Sequence, residues 1–299
     1  MALQNYQVKI SETGQELLQH GTALFPIACY HDDLALAPVP WHWHEELEAA
    51  VVTEGGAVVA VGTERYTLQP GDGFYVGANV LHSVLISGDT CRLHSMSFHP
   101  RLIGGMDSIY WQKYLLPMLE SGKPELLILR RDGGWQQEAL EETERAWQAC
   151  VREEDGHEFE VREALSRLIL LARGRGTPKE TKKVSEKAQR DNDRIKCMLR
   201  HIQQNFDRPL TVAEIAAAAA VSESECLRCF RATIGSTPIQ FLKQLRLQRA
   251  ASLLAAGEEK ISDIAEGCGF LDMSYFARSF RALYGCTPGE YRRRHRACD

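Results

Sequence analysis

Residues 40–48 read PWHWHEELE, with two histidines and two glutamates on alternate positions. In a β-strand alternate side chains share a face, so His42, His44, Glu46 and Glu48 point one way and Trp41 and Trp43 the other. Imidazoles with a carboxylate are ligands for Fe, Mn, Ni or Zn. A bound metal with an open coordination position would make this run the centre of a metalloenzyme. The same groups without a metal line a polar pocket that hydrogen-bonds a ligand. These residues alone leave both readings open, and the rest of the chain decides between them.

Holding such a run in place requires a sheet, and residues 22–99 supply its pattern. Short apolar runs (TALFPIACY, LEAAVVTEGG, AVVAVG, RYTLQPGDG, FYVGANVLHSVLISG, CRLHSMSFH) alternate with turn residues, which predicts a small antiparallel barrel or sandwich. From about 108 to 173 the period becomes helical. Val161, Ala164, Leu165, Leu168 and Ala172 share one face, and Leu140, Thr143, Trp147 and Val151 another. Such stripes serve as core or as a dimer seam. Residues 174–193, GRGTPKETKKVSEKAQRDND, hold almost nothing to bury and read as an interdomain linker. Beyond it the chain is helical throughout. Ile195, Met198, Leu199, Ile202 and Phe206 form the first stripe, and TVAE (211–214) and SESE (222–225) are capping boxes. A two-turn helix, a break and a newly capped helix predict a helix-turn-helix.

Charge divides the chain in the same way. Residues 1–173 carry a net −12, residues 174–190 +4 and residues 191–299 +3. An acidic front and a basic rear point to a polyanion as the partner of the rear. The start MALQNYQVKI lacks the basic and apolar regions of a signal peptide, and LSRLILLA (165–172) is far too short for a bilayer crossing. Nine scattered cysteines fit reduced thiols. A cytoplasmic protein without membrane contact is expected.

An internal repeat decides what the rear is for. FRATIGSTPIQF (230–241) and FRALYGCTPGEY (280–291) match at an offset of 50, which also pairs Arg228 with Arg278, Ser224 with Ser274 and the caps Ser222 and Asp272. Ile215-Ala216 pairs with Ile264-Ala265 at 49, so the second turn is one residue longer. Each copy has a short bracing helix and a capped polar helix narrow enough for the major groove of double-stranded DNA. Arg228 and Arg278 stand one turn in, suited to guanine O6/N7. Arg231 and Arg281 follow on the phosphate side. One long helix, about 239–256, should bridge the copies and set them in successive grooves.

ISDIAEGCGFLDMSYFARSFRALYGCTPGEYRR (261–293) resembles the signature of the AraC/XylS transcription regulators, and the resemblance extends over about 191–296. It implies two helix-turn-helix subdomains on promoter DNA, usually activating, with a small-molecule effector bound in front. Homodimerisation and contact with RNA polymerase belong to the same expectation. Carried over by position, the base readers are Ser224, Leu227 and Arg228, then Met273, Ser274, Ala277 and Arg278. One departure is Cys226-x-x-Cys229, a spacing used by zinc and redox sites. Cys226 stands where the family has a buried leucine, which favours core packing.

The front is similar to the cupin-like effector domains of that family. His42, His44, Glu48 and Gly55 meet the first half of the cupin pattern, with Leu36 in place of its leading glycine. In the second half Gly71 and His82 fit, while Gly77, Asn79 and Ile86 replace the expected Pro, Gly and Asn. The resemblance thus implies an effector pocket lined by His42, His44, Glu48 and His82, with Trp43 and Tyr75 as stacking candidates. The same four ligands could hold a divalent metal, although no cofactor is required and no catalytic residue is assigned.

The expected fold is α+β: a cupin-like β-barrel with a helical pair (1–173), a linker (174–190), then an all-α tandem helix-turn-helix (191–299). The expected function is an effector-controlled transcription regulator, not an enzyme. The alternative is a metal-dependent cupin enzyme with a DNA-binding tail. An interaction scaffold built on the 136–173 helices would leave the repeated arginines without a role.

Overall fold

The computed structural model describes residues 3–4, 21–36, 39–131, 134–175, 186–257 and 259–296. These fall into two units, one ending at 175 and the other starting at 186. The first holds strands β1 (Leu3–Gln4), β2 (Ile27–Asp33), β3 (Val39–His42), β4 (Leu47–Val61), β5 (Glu64–Leu68), β6 (Gly73–Val76), β7 (His82–Phe98) and β8 (Leu126–Leu129). Helices α1 (Leu116–Ser121), α2 (Gly134–Arg152) and α3 (His157–Ala172) complete it. The sheet runs β1-β2-β7-β4-β6-β8, with β3 also on β7 and β5 also on β4.

Period-two alternation gives this sheet two apolar faces. Ala50, Val52, Phe74, Val76, Val84 and Leu93 form the inner cluster. Ala49, Tyr75, Met96 and Phe98 turn the other way and pack with α2 and α3. All the apolar residues of both helical stripes except Val151, itself packed at the margin, are buried in that outer cluster. They pack as core within the front unit, while Phe159 and Leu170 are large apolar side chains of α3 that stay exposed.

Two runs that the sequence separates are joined in the fold. β4 continues through the EGG of residues 54–56, bent by register shifts at Val52/Glu54 and Gly55/Ala57. Gly55 has φ 68°, and a Cβ there would stand 1.8 Å from Thr90 O, so only glycine permits the bend. β8 was not expected, because its four residues, LLIL, lie within a helical stretch; it pairs with β6. Four apolar residues are too few to separate strand from helix by period.

Asp72 fastens β8 to the turn before β6. Its carboxylate accepts Arg130 Nη1 at 2.6 Å, Gln69 N at 3.1 Å and Arg131 N at 3.3 Å. Burial pushes its pKa up, but these hydrogen bonds outweigh burial and hold it below the usual value. Above the unfolded-state pKa, about 3.9, the stabilisation is fully present, and it is lost as pH falls through the depressed folded value. Asp72→Asn should therefore cost about 1–3 kcal/mol at pH 7, and the gap between the two proteins should narrow in acid. Urea midpoints at pH 7 and pH 3 measure both; an equal gap at the two values would contradict the assignment.

The second unit is helical: α4 (Glu186–Gln204), α5 (Val212–Ala218), α6 (Glu223–Thr233), α7 (Pro238–Ala256), α8 (Ile261–Gly267), α9 (Met273–Tyr284) and α10 (Pro288–Arg296). α4 starts at Glu186, so the last five residues of the expected linker are helical, and 176–185 lie outside the described residues. Ile195, Met198, Leu199 and Ile202 are fully buried. Thr211 and Glu214 form a complete capping box at α5. α7 takes the place of the expected bridging helix and touches α4, α5 and α6 as well as α8 and α10. Arg246 on α7 donates to Phe206 O at 2.6 Å. Gly269 (φ 78°) closes on the same carbonyl, where a Cβ would stand 2.7 Å away. Among the described residues no helix is long and apolar enough to cross a membrane.

Candidate functional site

Strand pairing assembles the imidazole cluster. β3 runs antiparallel to β7 with His42 opposite His82, while Glu48 stands on β4, which also pairs with β7. The run 40–48 is not one strand: β3 ends at His42 and β4 begins at Leu47. Simple alternation therefore fails across 43–46, and a bend brings His44 to the others. One ligand atom from each of His42, His44, Glu48 and His82 lies within 4.8 Å of the rest, and all four residues are buried.

Each imidazole is oriented by backbone. Nδ1 of His42 lies 2.9 Å from Pro40 O, that of His44 3.1 Å from Glu46 O, and that of His82 2.9 Å from Val80 O. A nitrogen facing a carbonyl oxygen carries the proton, so Nε2 is the ligating nitrogen each ring can offer. Glu48 Oε2 lies 3.0 Å from His44 Nε2 and 2.9 Å from His82 Nε2. Burial raises the Glu48 pKa, but the charges and hydrogen bonds of His82 and His44 outweigh burial and hold it well below the usual range. Satisfying both Nε2–Glu48 contacts with protons alone demands two imidazolium rings in a buried site. One cation among the four ligands does the same with neutral rings, which is the donor set a first-row divalent metal takes. The residues fit a metal.

The sheet parity that gathers these four excludes one candidate. Glu48 lies opposite Val76 and Ala49 opposite Tyr75. Tyr75 is thus on the outer face with α2 and α3 and cannot reach the imidazoles, a correction that follows from counting one residue along β6. Burial drives its phenol pKa up, and among the described residues its hydroxyl has no hydrogen-bond partner. Trp43 is buried, and of the expected pocket residues only His42 and Glu48 line the cavity beside the cluster; Trp43, His44 and His82 do not. That cavity has a volume of about 10 Å³, bounded by His42, Glu48, Tyr30, Asp32, Ser95 and Ser97 among others. It has room for about one water or ion. Asp32 and its hydrogen-bond donor Ser95 escape sequence reading. The available signal was a charged residue inside a strand, HDD, with no turn chemistry around it.

The helices expected to read DNA are α6 and α9, the second helix of each copy. Ser224, Arg228 and Arg231 on α6 are exposed and Leu227 half-buried, and these four with Ala232 line an open concavity of about 540 Å³. On α9, Met273, Ser274, Arg278 and Arg281 are exposed and Ala277 half-buried. Ser222 Oγ caps α6 by accepting Glu225 N, and Asp272 caps α9 by accepting Ser274 N and Tyr275 N. The turn between the helices is four residues in the first copy (219–222) and five in the second (268–272), as the change of offset requires. Phe230, Phe276 and Phe280 lie fully buried on the inner faces. Cys226 and Cys229 are buried too, and burial raises both thiols, Cys226 to about 11.

Known proteins divide along the same line. A family model described as a helix-turn-helix domain matches residues 215–294, and a cupin domain model matches residues 35–97. The uncharacterised HTH-type transcriptional regulator YdeC of Bacillus subtilis is 23% identical over 95% of this chain and 97% of its own. The HTH-type transcriptional activator RhaR of Mannheimia succiniciproducens is 25% identical over 86% and 88%. Among solved structures, an apo form of ToxT from Vibrio cholerae strain SCE256 covers 92% of this chain and 98% of its own, at 15% identity and a TM-score of 0.46.

Proposed function

This chain belongs to the AraC-type transcription regulators that carry a cupin domain in front, and from that premise we propose an activator whose signal enters at the imidazole cluster. The observation that supports DNA reading best is the repetition itself: two capped helices, each with its arginines outward and its phenylalanine inward. The effector on this reading is a first-row divalent cation held by His42, His44, Glu48 and His82, whose ligand atoms lie within 4.8 Å of one another beside a cavity of about 10 Å³ that His42 and Glu48 line. Bound there, a cation would tie β3, β4 and β7 together. The protein would act in the cytoplasm as a homodimer on promoter DNA and engage RNA polymerase there.

A cupin enzyme is the weaker reading because of volume. An organic substrate needs a cleft on the order of 300 Å³ or more, and the cavity beside the ligands has room for about one water.

Selection of duplexes from a random library by the full chain tests DNA reading. Enrichment of one sequence is expected, with affinity falling steeply in salt as counterions are released. On the enriched duplex Arg278→Ala should cost about 1–3 kcal/mol, with specificity lost at one position. Arg231→Ala should weaken the enriched and random duplexes alike. Identical behaviour of the two variants on both duplexes would overturn the division into reader and clamp.

A further inference from the structure

The two reading arginines are not equivalent, and the difference lies in what holds them. Arg228 Nε donates to Glu225 Oε2 at 2.8 Å, and Nη2 donates to Glu225 Oε1 at 2.7 Å and to Asp191 Oδ2 at 2.8 Å. Cys229 Sγ, 3.6 Å from Nη2, is a weaker neighbour. Arg194 Nη1 completes the group at 3.4 Å from Asp191 Oδ1 and 3.3 Å from Glu225 Oε1.

A guanidinium has five N–H groups on two usable edges. The side-on edge, Nε with Nη2, is filled by the paired oxygens of Glu225. The end-on edge, Nη1 with Nη2, is the one left to meet guanine O6 and N7 together. Nη2 has one hydrogen for each edge. With the first spent on Glu225, the bond to Asp191 uses the second, so Asp191 occupies half of the guanine-reading edge.

The second copy has no such arrangement. The buried residues of α4 (Ile195, Met198, Leu199, Ile202) match those of α7 (Leu247, Ala250, Ala251, Leu254) at an offset of 52. That register sets Lys243 where α4 has Asp191, and the recognition-helix offset of 50 sets Tyr275 where α6 has Glu225. Among the described residues Arg278 makes no ion pair and is exposed.

We propose that Glu225 is a positioning residue that aims Arg228, and that Asp191 is a latch on the guanine-reading edge that DNA must displace. The first recognition helix thereby reads only after Asp191 is released, whereas the second is open from the start. This rests on the DNA-reading function proposed above. Asp191 is the sixth residue of α4, the first helix of the rear unit.

The test uses the full chain and the duplex it enriches from a random library. Asp191→Asn should tighten binding about five- to tenfold, because an amide oxygen holds guanidinium more weakly than a carboxylate. Asp191→Ala provides a second variant in case the amide re-forms the bond. Glu225→Gln should weaken binding about tenfold and relax preference for guanine under α6. Asp193→Asn removes an equal charge two residues away without touching Arg228, and should change affinity less than about twofold. In an Arg228→Ala background the gain from Asp191→Asn should vanish. Unchanged or weaker binding by Asp191→Asn would overturn the latch, and so would an equal gain from Asp193→Asn or a gain that survives loss of Arg228. Enrichment of no duplex would remove DNA reading itself, a failure distinct from these.

Discussion

Adding Ni(II) or Zn(II) to metal-free full-length protein is expected to raise the melting temperature of the front unit by about 8–16 °C, and Glu48→Gln to erase the rise. The magnitude follows from linkage: free metal at about 1,000 times Kd contributes roughly 4 kcal/mol to a state that only the folded chain can bind. Each kcal/mol moves the transition of a unit this size by about 2–4 °C. Three strands supply His42, Glu48 and His82, and the bend between β3 and β4 supplies His44, so binding is coupled to the sheet and not to one loop alone. The quantity to compare is the metal-dependent increment, since removing a buried charged partner shifts the baseline as well. His82→Ala, at the most buried of the four positions, should lose the increment together with stability. Glu48→Gln keeps the volume and isolates the ligand effect. A wild-type protein whose transition ignores every first-row divalent ion would end the metal assignment while leaving the DNA-binding unit as it stands. An increment that persists in both variants would move the metal elsewhere.

The rear of the molecule was legible in the sequence because its signals are local. Capping residues, a repeat at fixed offset and a Gly-Phe turn each act within a few residues, and Thr211, Ser222, Asp272 and Gly269 do what their types require. The front was legible only in outline. Its four clustered side chains were identifiable through the cupin resemblance, yet the bend at 43–46 that joins them depends on pairing with a strand 40 residues away. Tyr75 failed for a related reason: which face a strand residue takes is fixed by register, and an apolar run, FYV, has no alternation from which to read it. Most informative is the SESE box at 222–225. The spacing predicts a reciprocal cap, and Ser222 does accept Glu225 N, but the Glu225 carboxylate turns to Arg228 one turn ahead. An exposed carboxylate chooses between a backbone N–H and a guanidinium, and the bidentate pair is the stronger attraction. No local pattern names Asp191 as the third member, because it arrives from α4, 37 residues away.

Phe280→Ala tests whether the second copy is held by the same inward aromatic that the repeat places at Phe230. Its ring is fully buried and lies 5.6 Å from Phe276, 4.6 Å from Tyr284 and 5.4 Å from Tyr291, measured between centroids. Leu254, Ala250, Ile264 and Cys286 belong to the same cluster and come from three other segments of the chain. Because those walls are pinned by different helices, the gap left by alanine cannot close, and the loss should reach about 3–5 kcal/mol. Against total stabilities on the order of 5–15 kcal/mol, that is enough to release α9 from its brace. The enriched duplex should then bind far more weakly even though Arg278 and Arg281 are intact, because an arginine on an unfixed helix cannot hold the register that base reading needs. Phe280→Leu fills most of the volume and should retain most of the affinity. The metal-dependent rise of the front unit should persist in both variants, since no ligand of that site is altered. Wild-type DNA affinity and an unchanged urea midpoint in Phe280→Ala would mean that α9 is fixed by its exposed contacts and not by its buried face, and the repeat would then have no structural basis in its phenylalanines.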